Sequence, residues 1–274
     1  MNHYLIPLLA IACYLAGGAV IAIHLFRPGM ERQPPRVAGI ALGLAGVLLH
    51  GAFLYQHIVT DSGINLGFFD AASLISWTIL LLLLLSALSK PVENLGIVLL
   101  PLAALAIIFQ ARFPAAHFLS PDAAWGLRLH VLISLLAYSL LTMASVQAVL
   151  LAIQDHHLRH RHPGGFIRSL PPLQTMEALL FEMIGAGFIL LTLALISGFM
   201  FLQDMFAQHL VHKTILSIVA WLVFAGLLWG RFRFGWRGQK ALIWTLVGFV
   251  VLMLAYFGSK FVIELVLKGG GTVG

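Results

Sequence analysis

Charge is what this chain has least of. Only 9% of its residues are Asp, Glu, Lys or Arg, against roughly 25% in soluble domains. Hydrophobic residues make up 61% and the mean hydropathy is +0.99, so the chain is membrane-embedded. Cys13 is the only cysteine and lies in an apolar run. That excludes disulfides within the chain, thiolate metal clusters and a C-x-x-C-H haem attachment site. Walker, G-x-G-x-x-G, H-E-x-x-H and G-x-S-x-G motifs are all missing, which leaves soluble-type ATPase, dinucleotide and hydrolase chemistry without support. There is no basic stripe on a soluble face, so nucleic acid is not a partner. No loop is long enough to fold alone, and residues 1–274 read as a single integral membrane domain.

What the chain has in quantity is apolar sequence in lengths that span a bilayer. A crossing helix needs about 20 mostly apolar residues. Eight windows satisfy this: 4–26, 37–58, 69–88, 94–111, 126–153, 176–202, 213–230 and 241–265. Arg27-Pro28-Gly29 with Pro34-Pro35, Lys90-Pro91, Pro114, Pro121, His162-Pro163-Gly164-Gly165 and Pro171-Pro172 punctuate them. The apolar stretches do not alternate with period two, so a membrane β-barrel is not supported. The fold class is therefore all-α, a polytopic bundle of eight transmembrane helices. Tyr4 to Phe26 lacks a basic n-region, and its apolar run exceeds the roughly 7–15 residues of a signal h-region. It reads as a first transmembrane helix.

Short loops carry Lys and Arg on the inside. The connections after helices one, three, five and seven hold Arg27, Arg32, Arg36, Lys90, Arg159, Arg161, Arg168, Arg231, Arg233, Arg237 and Lys240. The opposite face holds only Arg112, Arg128, Lys213, Lys260 and Lys268. This asymmetry predicts both termini outside, which in a bacterial inner membrane means the periplasm. Gly39, Gly43 and Gly46 in helix two, and Gly185 and Gly187 in helix six, predict close helix contacts.

Twelve histidines stand out against so little charge. His156, His157, His160 and His162 form an inside-loop tract with Arg159 and Arg161. Such a tract can bind metal, but a solvated, partly charged loop is the simpler account. His24 is interfacial, and His3, His57, His117 and His209 fall singly at outside ends or loops. His50, His130 and His212 differ, because this topology brings all three towards the outer half of the bundle. His50 lies about 12 Å below the outer end of helix two, at 1.5 Å per residue. Neutral imidazole ligates haem iron and transition metals generally. The alternative is three separate histidines satisfied by backbone carbonyls or water, and spacing alone leaves both open. Arg128, Lys213 and Lys260 are placed to pair with haem propionates. Trp77, Trp125, Trp221, Phe68 and Phe69 are candidates to flank a planar ring, although interfacial aromatics are common. Lys260 and Glu264, one turn apart, can also pair with each other.

Glu177 and Glu182 enter helix six from the inside. An intramembrane acid can serve a proton or cation. The favoured reading is that both stabilise a helix N-terminus and reach the Arg-rich inner loops.

Several stretches carry a resemblance: Leu49-His50-Gly51, Gly63-Ile64-Asn65-Leu66, Ser73-Leu74-Ile75-Ser76-Trp77, and Leu129-His130-Val131 with Ser134 and Ala137-Tyr138-Ser139. They continue with Pro171-Pro172-Leu173, His212-Lys213-Thr214-Ile215-Leu216-Ser217, Ala220-Trp221, Gly235-Trp236-Arg237-Gly238 and Ala255-Tyr256-Phe257-Gly258-Ser259-Lys260. On these the chain resembles the cytochrome c assembly proteins, the CcsA/CcmC-type haem handlers. It is most similar to their short, eight-helix YpjD-type branch of inner-membrane proteins. The resemblance implies that His50 matches a transmembrane haem histidine and His130 the outer histidine before the haem-presenting loop. It further implies haem b as the group handled and apocytochrome c, or other cytochrome maturation proteins, as partners beside membrane lipid.

The chain departs from the family pattern before helix seven, where Gln203 to His212 is short and has no tryptophan. Trp229 stands where a late histidine would fall, and Tyr256 to Lys260 holds none. His212 as a substitute ligand is an inference from position. Two other classes remain as alternatives. A small-solute or ion transporter, or a transport accessory, would show broken helices or an inverted repeat and substrate-dependent flux. A non-catalytic scaffold would tolerate loss of all three histidines.

Overall fold

The structure is a computed structural model that describes residues 4–26, 35–60, 63–65, 67–113, 118–119, 125–159, 169–201 and 211–258. Its eight long helices are α1 (Leu5–Phe26), α2 (Arg36–Ile58), α3 (Phe68–Ala87), α4 (Gly96–Arg112), α5 (Trp125–Arg159), α6 (Leu173–Phe201), α7 (Val211–Phe234) and α8 (Gln239–Met253). A 3₁₀ turn, Glu93–Leu95, leads into α4, and a π turn, Leu254–Gly258, continues α8. With those turns, all eight are long and apolar enough to cross a membrane. The windows read from the sequence therefore each correspond to a helix. An addition to the all-helical picture is a small antiparallel sheet, β1 (Val59–Thr60), β2 (Gly63–Asn65) and β3 (Phe118–Leu119), with β2 central. Strands of two or three residues in loops leave no periodic signal to read.

The chain divides into two compact units. The first, Met1–Asp122 with His156–Pro172, contains α1 to α4. Here α1 packs on α2 and α4, and α3 packs on the same two helices. Glycine sets the α1–α2 distance. A Cβ at Gly17 would stand 3.1 Å from the Gly39 carbonyl oxygen and from the Gly43 nitrogen. A Cβ at Gly46 would stand 2.5 Å from Tyr14 Cδ1, so the tyrosine ring lies flush on the α2 backbone. At the opposite end of α2, Arg36 donates to the Ala87 carbonyl at 2.6 Å and to the Lys90 carbonyl at 3.2 Å. It also meets both carboxylate oxygens of Glu93 at 3.0 Å. A cation on the last carbonyls of a helix satisfies orphan acceptors and opposes the negative end of the helix dipole.

The second unit, Ala123–Asp155 with Leu173–Gly274, contains α6, α7, α8 and most of α5. Helix α6 meets α5 along one side, with Phe201 against Gly126, Leu141 against Gly187, and Gln147 Nε2 donating to the Met176 carbonyl at 3.1 Å. It meets α7 along another, where Phe188 stacks on Trp221 and Arg231 NH1 reaches Glu177 Oε1 at 2.7 Å. Helix α7 packs on α8 through Trp244 against Gly226 and Phe224 against Gly248. Tyr138 of α5 closes the circuit onto α8 and its π turn, with ring centroids 5.9 Å from those of Phe249 and Tyr256. Gly235 and Gly238, with φ of 64° and 56°, make the α7–α8 turn in a left-handed conformation that suits glycine.

Two expectations need correction. Among the described residues nothing lies within 4 Å of a Cβ placed on Gly185, so of the α6 pair it is Gly187 that meets a neighbouring helix there. Helix α5 continues to Arg159, so His156 and His157 are exposed helical residues, not loop residues. His160 and His162 lie outside the described residues. The apolar window ended at 153 because hydropathy stops where the bilayer stops, while the helix runs on with His and Arg favoured at its negative end.

Candidate functional site

His130 lies in the second turn of α5 and is half-buried against α6. Its Nδ1 stands 3.0 Å from the Ala194 carbonyl oxygen and 3.1 Å from Ser197 Oγ, while Ser197 Oγ itself donates to the same carbonyl at 2.9 Å. A carbonyl only accepts, so Nδ1 carries the proton. In the neutral ring the lone pair is then on Nε2, which has no hydrogen-bond partner among the described residues. One imidazole nitrogen tied to a backbone carbonyl and the other open is the arrangement that orients a metal-binding histidine. His130 therefore has one ring nitrogen fixed and the other without a hydrogen-bond partner among the described residues.

His50 is held differently. In α2 it is 0% exposed, as are Ser73 of α3 and the Tyr14 ring of α1. Tyr14 OH stands 3.1 Å from Nδ1, and Ser73 Oγ stands 2.9 Å from Nε2. Both ring nitrogens are thus engaged, in a chain of hydrogen bonds that ties three helices together. One turn along α3 from Ser73, Trp77 braces α3 against α2: its Nε1 donates to the Val47 carbonyl at 2.8 Å and its indole packs on Gly51, next to His50. In this state His50 offers no free nitrogen to a ligand.

Of the remaining sequence candidates, His212 is the second residue of α7 and exposed, and Lys213 beside it is half-exposed. Arg128 is exposed at the start of α5. Lys260 and Glu264 lie outside the described residues. The candidate ring-flanking aromatics all have protein partners. Trp125 meets Phe201, Trp221 donates to Thr192 Oγ1 and stacks on Phe188, and Phe69 stacks on Phe109 and Phe113. Among the described residues no group of three or more His, Cys, Asp or Glu side chains is gathered to hold a bare metal ion. A porphyrin-bound iron asks less, because the macrocycle supplies the equatorial donors and protein histidine an axial one.

The family is decided by comparison with known proteins. Residues 39–267 match the profile described as Cytochrome C assembly protein. The chain belongs to the cytochrome c assembly protein family. Within the family it falls in the YpjD-type branch. It is 34% identical over 265 residues to "Inner membrane protein YpjD" of Escherichia coli (strain K12), covering 94% of this chain and 98% of that protein. "Cytochrome c biogenesis protein CcsA" of Chlamydomonas reinhardtii is 30% identical over 142 residues, 50% of this chain and 38% of the relative. The protein of that name from Trieres chinensis is 24% identical over 264 residues, 82% of this chain and 84% of the relative. No solved structure matches the chain. As a member of this assembly family the chain is a multi-pass inner-membrane protein with a role in cytochrome c biogenesis.

Of the groups that hold the two histidines, Tyr14 and Ser197 were not singled out from the sequence, and Ser73 stood there only within a stretch that carries the resemblance. A phenol within an apolar helix needs a hydrogen-bond partner, and Tyr14 carried that signal without naming its partner. A second unread pair is Gln110 and Asp70, both buried, with Gln110 Nε2 donating to Asp70 Oδ1 at 2.9 Å.

Proposed function

We propose that this protein binds haem b through histidine and holds it as cargo for cytochrome c maturation, with His130 as the leading ligand. The observation that carries the proposal is the open Nε2 of His130, backed by Nδ1 on the Ala194 carbonyl. His50 is the second proposed ligand and requires Ser73 to release Nε2; His212 is the third. Arg128, Lys213 and Lys260 are the proposed partners of the propionates, through charge-assisted hydrogen bonds. Both termini are proposed to lie in the periplasm, on the basic-residue asymmetry of the loops. Apocytochrome c and other maturation proteins are the proposed partners. A bound haem would supply an iron that accepts a nitrogen ligand; the chain's own contribution is a ring fixed in one tautomer, with Nδ1 donating to the Ala194 carbonyl and the lone pair on Nε2.

The test is a haem titration of the detergent-purified protein followed at the Soret band. Wild type is expected to develop the band at stoichiometric haem. His130→Ala is expected to weaken binding by at least roughly tenfold, the lower end of what losing even an outer-shell partner of a metal ligand costs. Protein that stays colourless with excess haem would overturn the proposal.

A further inference from the structure

The two candidate histidines share one feature: each has Nδ1 engaged by a group from another helix of its own unit. They differ at Nε2, which is open in His130 and covered by Ser73 Oγ in His50. The two groups on His50 are not equally free to move. The Tyr14 ring lies on the bare backbone of Gly46, close enough that a Cβ there would overlap both Cδ1 and Cε1, and it is fully buried. Its hydroxyl cannot leave Nδ1 without moving α1 away from α2. The Ser73 hydroxyl, by contrast, swings about a single χ1 torsion. A helical serine has a ready second acceptor in the carbonyl four residues earlier, here Phe69, and rotation to it needs no displacement of backbone. Neighbouring hydroxyls show the habit: Ser76 Oγ donates to the Ser73 carbonyl and Thr78 Oγ1 to the Leu74 carbonyl.

We infer that Tyr14 is the fixed positioning residue of His50 and Ser73 a removable cap on its Nε2, so that His50 opens to a ligand only when the serine hydroxyl turns back onto its own helix. The inference deepens the haem-binding reading of this protein and rests on it for the identity of the ligand, but the cap itself is a property of three side chains. With the proton on Nδ1, donated to the Tyr14 phenol oxygen, a capped imidazole accepts from Ser73 at Nε2 and is unreactive there, and an uncapped one is a nucleophile and a ligand.

Two measurements test it. The first needs no haem: purified protein is treated with diethyl pyrocarbonate, which acylates unprotonated imidazole nitrogen, and labelling at His50 and His130 is followed by peptide mass. In wild type His130 is expected to label and His50 to be protected. In Ser73→Ala, His50 should label roughly three- to tenfold faster, the ratio one net hydrogen bond supports, while Ser73→Thr, which keeps the hydroxyl, should protect as wild type does. His130 labelling and a monodisperse elution profile serve as the internal check that each variant is folded. Protection of His50 in folded Ser73→Ala, or labelling of His50 in wild type at the His130 rate, overturns the cap.

The second measurement is the haem titration on the same variants. Ser73→Ala is expected to bind haem more tightly by a similar factor, and Tyr14→Phe, which unfastens the ring, more weakly. Wild type that binds haem while Ser73→Ala binds no tighter overturns the inference and leaves the haem reading standing. Wild type that binds no haem overturns the reading, and the labelling rates then judge the cap alone.

Discussion

Polar side chains in a membrane segment carry more information than apolar ones, because each must find a partner inside the protein. Glu177 is one such group. It is 9% exposed, and its Oε1 lies 2.7 Å from Arg231 NH1 and 3.7 Å from the largely exposed Arg237 Nε. Arg231 also donates to the Trp236 carbonyl at 3.2 Å and sits 4.4 Å over the Phe181 ring. The acid is therefore tied to the basic turn between α7 and α8, as its position near the start of α6 suggested, and it reads as a structural anchor. Glu177→Ala leaves a partly buried guanidinium without its carboxylate. It should lower stability by about 1–3 kcal/mol, the buried-pair cost discounted for the exposure of Arg231, seen as a lower Tm in detergent with haem binding at His130 retained. Ser197→Ala is milder by design. The Ala194 carbonyl still holds His130 Nδ1, so haem affinity should fall by less than the roughly tenfold or more that losing the ring itself costs.

Among the helices, α1 and α2 make the clearest case for sequence chemistry setting a distance. Gly17, Gly39, Gly43 and Gly46 remove the side chains that would hold two backbones apart. The close approach is what lets Tyr14 reach His50. Gly46→Ala should lower the Tm by the equivalent of about 1–3 kcal/mol through overpacking against the fully buried Tyr14 ring. It should also expose His50 to diethyl pyrocarbonate by shifting the phenol. Gly185→Ala is the matched control: among the described residues nothing lies within 4 Å of the added methyl, so its effect should be within about 1 kcal/mol and in the stabilising direction, because alanine is the better helix former. Both glycines lie in apolar helices and look alike in the sequence; only the neighbouring helix distinguishes them. Helix α5 shows the converse limit. Its 35 residues exceed the roughly 20 that a bilayer requires, so hydropathy marks its membrane part and not its end.

For the whole molecule, the outward residues argue for lipid on the sides of the helices. Leu8, Leu15, Leu48, Leu102, Leu105, Ile189, Phe199 and Leu222 are exposed, a surface that water would penalise and acyl chains solvate. The proposed orientation has a direct check in this chain because it holds one native thiol. In a Cys13→Ser background, single cysteines at Glu93 and Lys240 should resist a membrane-impermeant maleimide in intact cells, and one at Arg112 should react. The reverse pattern would invert the topology. Eight helices long and apolar enough to cross a membrane, and the short list of histidines worth testing, follow from local composition, because a bilayer imposes its requirement on each segment independently. Which ring nitrogens are engaged, both on His50 and Nδ1 on His130, follows from tertiary structure alone. The groups that decide it are 36 residues from His50 in Tyr14 and 64 residues from His130 in Ala194, and a backbone carbonyl has no sequence signature. Hydropathy is a sum over one segment, whereas the state of an imidazole is set by two atoms that only packing brings to between 2.9 and 3.1 Å.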